Sequence, residues 1–182
     1  MIKKLNESFF LVFSFGKLTI NSFRANIKSV LLSEKALFSQ IINLKPVASP
    51  DQVMFASLST VNSIQFNSMH LSNPSLELLL HLCGERQINK ALDLLEVKEK
   101  TKEIVLIVVG KEKTKINSEL KKLEKLTGLI KDEKLIQKNF EKNKNELMKL
   151  YGIKEKELKL FKHKNNALKE LIIEKNAMMV FE

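Results

Sequence analysis

The sequence predicts an α+β domain, from three observations. Phe9 to Phe15 alternates between two faces in a composition that favours strands, and Ile104 to Val109 is six consecutive apolar, mostly β-branched residues. Between and beyond these runs, apolar residues recur at helical spacing behind residues that cap helices. The 182 residues, 44% hydrophobic and 29% charged, are enough for one domain with a substantial core, so residues 1–182 are read as a single unit.

At the N-terminus, Lys3 and Lys4 ahead of the Phe9 to Phe15 run imitate a secretory signal. Glu7 interrupts that pattern and no small-residue cleavage site follows, so the run reads as the first strand instead. Phe9, Leu11, Phe13 and Phe15 share one face of it, Phe10 and Val12 the other. Ser49-Pro50-Asp51-Gln52 has the form of a capping box with proline at the first helical position, and predicts a helix to about Ile64. Val53, Ala56, Thr60 and Ile64 line one face of this helix, and Met54, Leu58 and Val61 line a second. Either it is buried all round or a partner covers the second face.

Asn73-Pro74-Ser75 caps a short helix through Leu76, Leu79, Leu80 and Cys83, which Gly84 stops. Ile88, Ala91, Leu92 and Leu95 then mark a second helix beginning near Glu85. The Ile104 to Val109 run reads as a strand buried on both faces at the centre of a sheet. Ile116, Leu120, Leu123 and Thr127 predict a helix ended by Gly128, and Leu129 and Ile130 a short edge strand. Phe140 to Tyr151 predicts a helix stopped by Gly152, and Leu168, Leu171, Ile172, Met178 and Met179 form the apolar stripe of the last one.

The net charge of +10 points to an anionic neighbour, and residues 98–182 carry +8 of it. One cysteine excludes an internal disulfide framework, and three scattered histidines provide no zinc cage, so no metal or other cofactor is expected. A reducing, cytoplasmic setting fits, extending to the nucleus in a eukaryote. No run of about twenty apolar residues exists, so a spanning helix is not expected, and neither is a membrane partner. Gly110-Lys111 lacks the remaining glycine of a phosphate loop. His70, His81 and His163 have no evident nucleophile arranged with them, and His81 reads as a helix-face residue rather than a ligand. Composition and spacing thus show no evident active site and no catalytic residues.

Arg86 and Gln87 stand out, because the expected helix start at Glu85 places them in a first turn whose free N–H groups attract anions. A bound phosphate would favour the arginine there, and Lys90 follows by four residues on the same side. A salt bridge from Arg86 to a neighbouring acid explains the same residue without any ligand.

The run from Ser75 to Leu92, centred on Gly84-Glu85-Arg86-Gln87-Ile88 and Ala91 and followed by the Ile104 to Val109 strand, resembles the small kinase-binding subunit of the KEOPS (EKC) complex, the TPRKB-like family. Pro46 to Pro50 resembles that family's strand leading into its first long helix. Glu96-Val97 and the lysine-rich stretch from Lys131 to Lys164 depart from the family pattern. The resemblance implies a mainly antiparallel sheet flanked by helices and a subunit without catalysis. It implies docking on the complex's small atypical kinase, and recruitment of the CCA end of tRNA for N6-threonylcarbamoyladenosine formation beside the anticodon. Contact with the threonylcarbamoyl-transferring subunit would be indirect. On that basis Gly84, Arg86, Gln87 and Lys90 are the candidate RNA-binding residues. Met54, Leu58, Val61, Leu171 and Met178 are the candidate kinase interface. With no Trp and one Tyr, base stacking has to come from Arg86 or aliphatic walls. A kinase-binding scaffold or regulator without direct RNA binding is the alternative.

Overall fold

The computed structural model describes residues 2–19, 36–161 and 164–181. Five strands, β1 (Ile2–Lys4), β2 (Phe10–Lys17), β3 (Phe38–Asn43), β4 (Glu103–Gly110) and β5 (Ile130–Lys131), form one sheet in which every pairing is antiparallel. The order is β1-β2-β4-β3, with β5 joined to β2. The central place expected for the Ile104 to Val109 run is the one it occupies. Its two faces feed different cores. Val105, Ile107 and Val109 pack with Leu11, Phe15, Phe38 and Ile42, whereas Ile104, Leu106 and Val108 pack with Val12, Ile41, Ile116, Leu120 and Leu123. The phenylalanine run is the second strand rather than the first, because Ile2 to Lys4 pairs with its start in the register Ile2↔Val12.

Strand β3 escapes pattern reading because Ser39 and Gln40 are polar yet buried. Side chains serve the sheet edge: Ser75 Oγ donates to the Ser39 carbonyl at 3.0 Å, and Gln40 Oε1 accepts the Ile41 N–H at 2.9 Å, while the Ser39 hydroxyl has no partner among the described residues. Gln40 Nε2 donates to the Ser75 carbonyl at 3.2 Å. Side chains thus satisfy an edge that would otherwise invite another strand. The strand ends at Asn43, so Pro46 to Ser49 is a loop and not the strand that the resemblance implied.

Seven described helices surround the sheet: α1 (Pro50–Gln65), α2 (Pro74–Cys83), α3 (Ile88–Leu95), α4 (Lys113–Thr127), α5 (Leu135–Leu150), α6 (Glu155–Leu158) and α7 (Lys164–Phe181). At α1 the Ser49 hydroxyl accepts the Gln52 N–H at 3.2 Å as the capping box requires, but Gln52 reaches back to the N–H of Ala48, one residue before the cap. Asn73 caps α2 as expected. Helix α3 starts at Ile88, three residues after the expected Glu85. Gly84 takes the left-handed conformation with φ 67°, and the Glu85 N–H closes back on the Leu80 carbonyl at 3.2 Å. The chain then needs Glu85 to Gln87 to turn. Helix α5 starts five residues before Phe140, and α6 was not anticipated.

A further core lies between α5, α6 and α7, where Phe140, Leu147, Tyr151 and Leu158 meet Leu168, Leu171 and Ile172. Arg24, His163 and the side chain of Met179 lie outside the described residues.

Candidate nucleic-acid interface

The segment between α2 and α3 forms one wall of a recess of about 290 Å3, lined by Gly84, Glu85, Arg86, Gln87 and Lys90 together with Lys175 and Met178 of α7. All four residues assigned to RNA from the sequence are therefore brought together. Gly84 is required twice over. Its φ is positive, and a Cβ there would lie 3.0 Å from Asn176 Oδ1 and 3.2 Å from the Asn176 Cα. This close approach lets the buried Asn176 Nδ2 donate to the Leu82 carbonyl at 2.6 Å, which pins α7 against the end of α2.

The electrostatics of the recess differ from the first-turn picture. Gln87 is the N-cap of α3 and Arg86 precedes it, so neither sits inside the helix. The Gln87 side chain makes no cap hydrogen bond and no acid occupies the first turn of α3. The N–H groups at that end therefore remain available to an outside acceptor. Arg86 is exposed and forms no ion pair with another described residue, so the salt bridge that could have explained it is not formed. Lys90 is exposed as well, and Lys175 lies 3.7 Å from Glu157, a loose pair. Three cations and a free helix end face one shallow space, with Glu85 as the acid in its lining. No aromatic ring among the described side chains lines it.

A glycine that ends one helix, an arginine and glutamine in the turn, and a central apolar strand thus occur in the arrangement that the TPRKB-like resemblance implied. The sequence pattern of the kinase binding protein CGI-121 family matches residues 20–179. The chain belongs to the CGI-121 family. A search of curated proteins returns no match.

For a CGI-121 protein the kinase-facing candidates need correction. Val61 is fully buried in the main core and Leu171 is buried against the α5 core, so neither side chain is presented to a partner. The second apolar face of α1 is largely core, because α2 and α7 pack on the helix. Met54 and Leu58 are half-buried, and Met178 is 49% exposed. Met54 lines a separate cavity of about 450 Å3 with Phe13, Phe15, Leu120 and Ile136, whereas Met178 belongs to the recess.

The structure also places a serine beside a histidine, which sequence spacing did not reveal. Ser63 Oγ lies 3.3 Å from His81 Nε2, and Glu77 Oε1 lies 3.4 Å from the same nitrogen, while Nδ1 has no partner. A catalytic relay needs serine and carboxylate on opposite ring nitrogens. Here they share one, and all three side chains are buried. Glu77 instead holds the turn before α2, accepting the Leu71 N–H at 2.9 Å and the His70 N–H at 3.1 Å, with His70 Nδ1 at 3.0 Å. Burial pulls the His81 pKa below the ordinary histidine value, with Glu77 opposing. Burial likewise pushes the Cys83 thiol up to about 12, which makes it inert at neutral pH. No metal-binding cluster of His, Cys, Asp and Glu occurs among the described residues, and no described helix is long and apolar enough to cross a membrane.

Lys175 is the one cation of the recess that sequence reasoning missed. It lies 85 residues beyond Lys90, and the packing of α7 on the end of α2, through the Gly84–Asn176 approach and the Asn176–Leu82 hydrogen bond, brings it there.

Proposed function

We propose that this protein is a non-catalytic subunit of a KEOPS complex. It docks on the small atypical kinase and recruits the CCA end of tRNA for N6-threonylcarbamoyladenosine modification. The observation that supports this reading is the recess, where Arg86, Gln87 and Lys90 meet Lys175 beside an uncapped helix N-terminus. Phosphates of a single strand would be held by the cations and by the free N–H groups of α3. The guanidinium of Arg86 would supply both a bidentate phosphate contact and a flat surface for a base, in a recess with no aromatic ring among its described side chains. Kinase docking rests on the family, and the exposed Met178 with the half-buried Leu58 and Met54 are the side chains that remain available for it. The setting is cytoplasmic, and residues 1–182 act as one domain.

A pulldown from cell extract that identifies the retained kinase tests the first half. Binding of a tRNA transcript with and without its CCA end tests the second. A second reading, kinase binding without RNA, is favoured by the absence of aromatic rings from the recess among the described side chains and by Glu85 in its wall. Equal and weak binding of both transcripts would select it.

A further inference from the structure

The outward side of α5 carries a row of lysines that the fold does not use. At 3.6 residues per turn, Lys134, Lys138, Lys142, Asn145 and Lys149 fall within an arc of about 80°, along about 22 Å of helix axis. All five are exposed. Some exposed lysines elsewhere meet carboxylates, as Lys45 meets Glu146 at 2.7 Å and Lys131 meets Glu124 at 2.8 Å, whereas others such as Lys100 and Lys121 do not among the described residues. Within the row only Lys138 does so, with Asp132 at 3.1 Å. Lys134, Lys142 and Lys149 have no carboxylate partner among the described residues. Glu141, at the border of the row, accepts a hydrogen bond from Gln137 Nε2 at 2.7 Å. Lys169 of α7 donates to Gln137 Oε1 at 3.3 Å and widens the cationic surface on that side. Like charges four residues apart repel each other and weaken the helix, a cost that an anionic partner would remove.

The chemistry of the row narrows the partner. Of the apolar residues of α5, Leu135, Ile136, Phe140 and Leu147 are buried, Met148 is half-buried and only Leu150 at the last position is exposed, so the helix has no continuous apolar face to lay into a bilayer. The row contains no aromatic side chain on which an unpaired base could stack. What remains is a straight line of flexible point charges, suited to the phosphates of a duplex whose bases are turned inward. We propose that the α5 row seats the sugar–phosphate backbone of an RNA duplex stem, as a second contact for the tRNA whose single-stranded end enters the recess. This rests on the tRNA reading above. It falls in the lysine-rich stretch where the sequence departs from the TPRKB-like pattern.

The test uses the full chain and three RNAs: a tRNA transcript, the same transcript without CCA, and a blunt RNA hairpin. In one variant Lys134, Lys138, Lys142 and Lys149 are replaced by Gln. A control makes the same charge change at the exposed Lys100, Lys102, Lys121 and Lys125. The row variant should bind the trimmed transcript and the hairpin at least tenfold more weakly at low salt. The slope of log affinity against log salt should fall by about three. The control should stay within about threefold of the parent protein. Arg86→Ala should remove the preference for CCA and leave hairpin binding intact. CCA-dependent binding that is unaffected by the row variant overturns the row alone, as does an equal loss in the control. No RNA binding by the parent protein overturns the tRNA reading itself. Row-dependent retention on phosphatidylserine vesicles without hairpin binding would assign the row to a membrane surface instead.

Discussion

The side-chain amide of Gln52 and the phenol of Tyr151, 99 residues apart in the chain, meet at 2.8 Å in the interior. Gln52 Nε2 also donates to the Leu82 carbonyl at 2.8 Å while its Oε1 holds the Ala48 N–H. Tyr151 passes its own proton to the Pro46 carbonyl at 2.9 Å. Asn139 completes the set by donating to the carbonyls of Leu44 at 3.1 Å and Val47 at 2.9 Å. Beyond the Leu44 N–H bond to the Glu103 carbonyl of β4 at 3.0 Å, the loop from Leu44 to Ser49 is therefore held from within by three side chains on α1, on α5 and at its end. Buried polar groups satisfied this fully are rigid, and costly to break one at a time.

Gln52→Leu should destabilise the fold by about 2 kcal/mol or more, since it strands the buried Ala48 N–H. Tyr151→Phe should cost about 1 to 2 kcal/mol, because the Pro46 carbonyl loses its donor. The double variant should be less destabilised than the sum of the two, read from urea midpoints in a double-mutant cycle. Additive losses would mean that the two groups act independently.

Arg86→Ala should weaken tRNA binding by about 1 to 3 kcal/mol, and Arg86→Lys should recover only part, because a lysine keeps the charge but not the planar fork. The melting temperature should not move, since Arg86 pairs with no described acid. Unchanged affinity would take the turn out of the RNA site.

Leu58→Glu and Met178→Glu should leave the isolated protein folded and remove kinase retention in a pulldown. Leu58 is half-buried and Met178 is 49% exposed, so a carboxylate at either site can reach water. Val61→Glu, by contrast, should unfold the protein by placing a charge in the core. Loss of folding in Leu58→Glu would show that this side of α1 is interior only.

Stability should fall in acid through His81. Its folded pKa lies below the ordinary histidine value, so the unfolded chain binds the proton more readily. The contribution is complete above the unfolded value of about 6.5 and is lost as pH drops through and below it. His81→Gln should flatten this part of the profile in melting curves collected from pH 7.5 to 5. An unchanged slope would assign the acid sensitivity to other groups.

The central strand was legible because Ile104 to Val109 is apolar on both faces, a pattern that only a covered strand at mid-sheet tolerates. The caps at Ser49 and Asn73 were legible because proline beside a capping side chain is a local signal. Strand β3 was hidden, since the buried Gln40 amide and the Ser39 carbonyl find a partner in Ser75 of α2, 35 and 36 residues away, while the buried Ser39 hydroxyl has none among the described residues. Within the site, Gly84, Arg86, Gln87 and Lys90 form a contiguous motif and could be seen. The start of α3 was misplaced because a left-handed glycine followed by a backbone closure uses up residues that spacing alone gives to the helix. Val61 looked available because helical periodicity shows which residues share a face but not how many neighbours cover the helix.

The Gly84–Asn176 contact also sets an order of events during synthesis. Ribosomes release a chain from its N-terminus, so Gly84 to Lys90 emerge long before Lys175 and Met178. Until α7 has left the exit tunnel and settled against the end of α2, the recess has only one wall. A nascent chain on its polysome therefore lacks Lys175, the third cation of the recess, and the close packing of Asn176 on Gly84. The recess is complete only when α7, the last described helix, is in place.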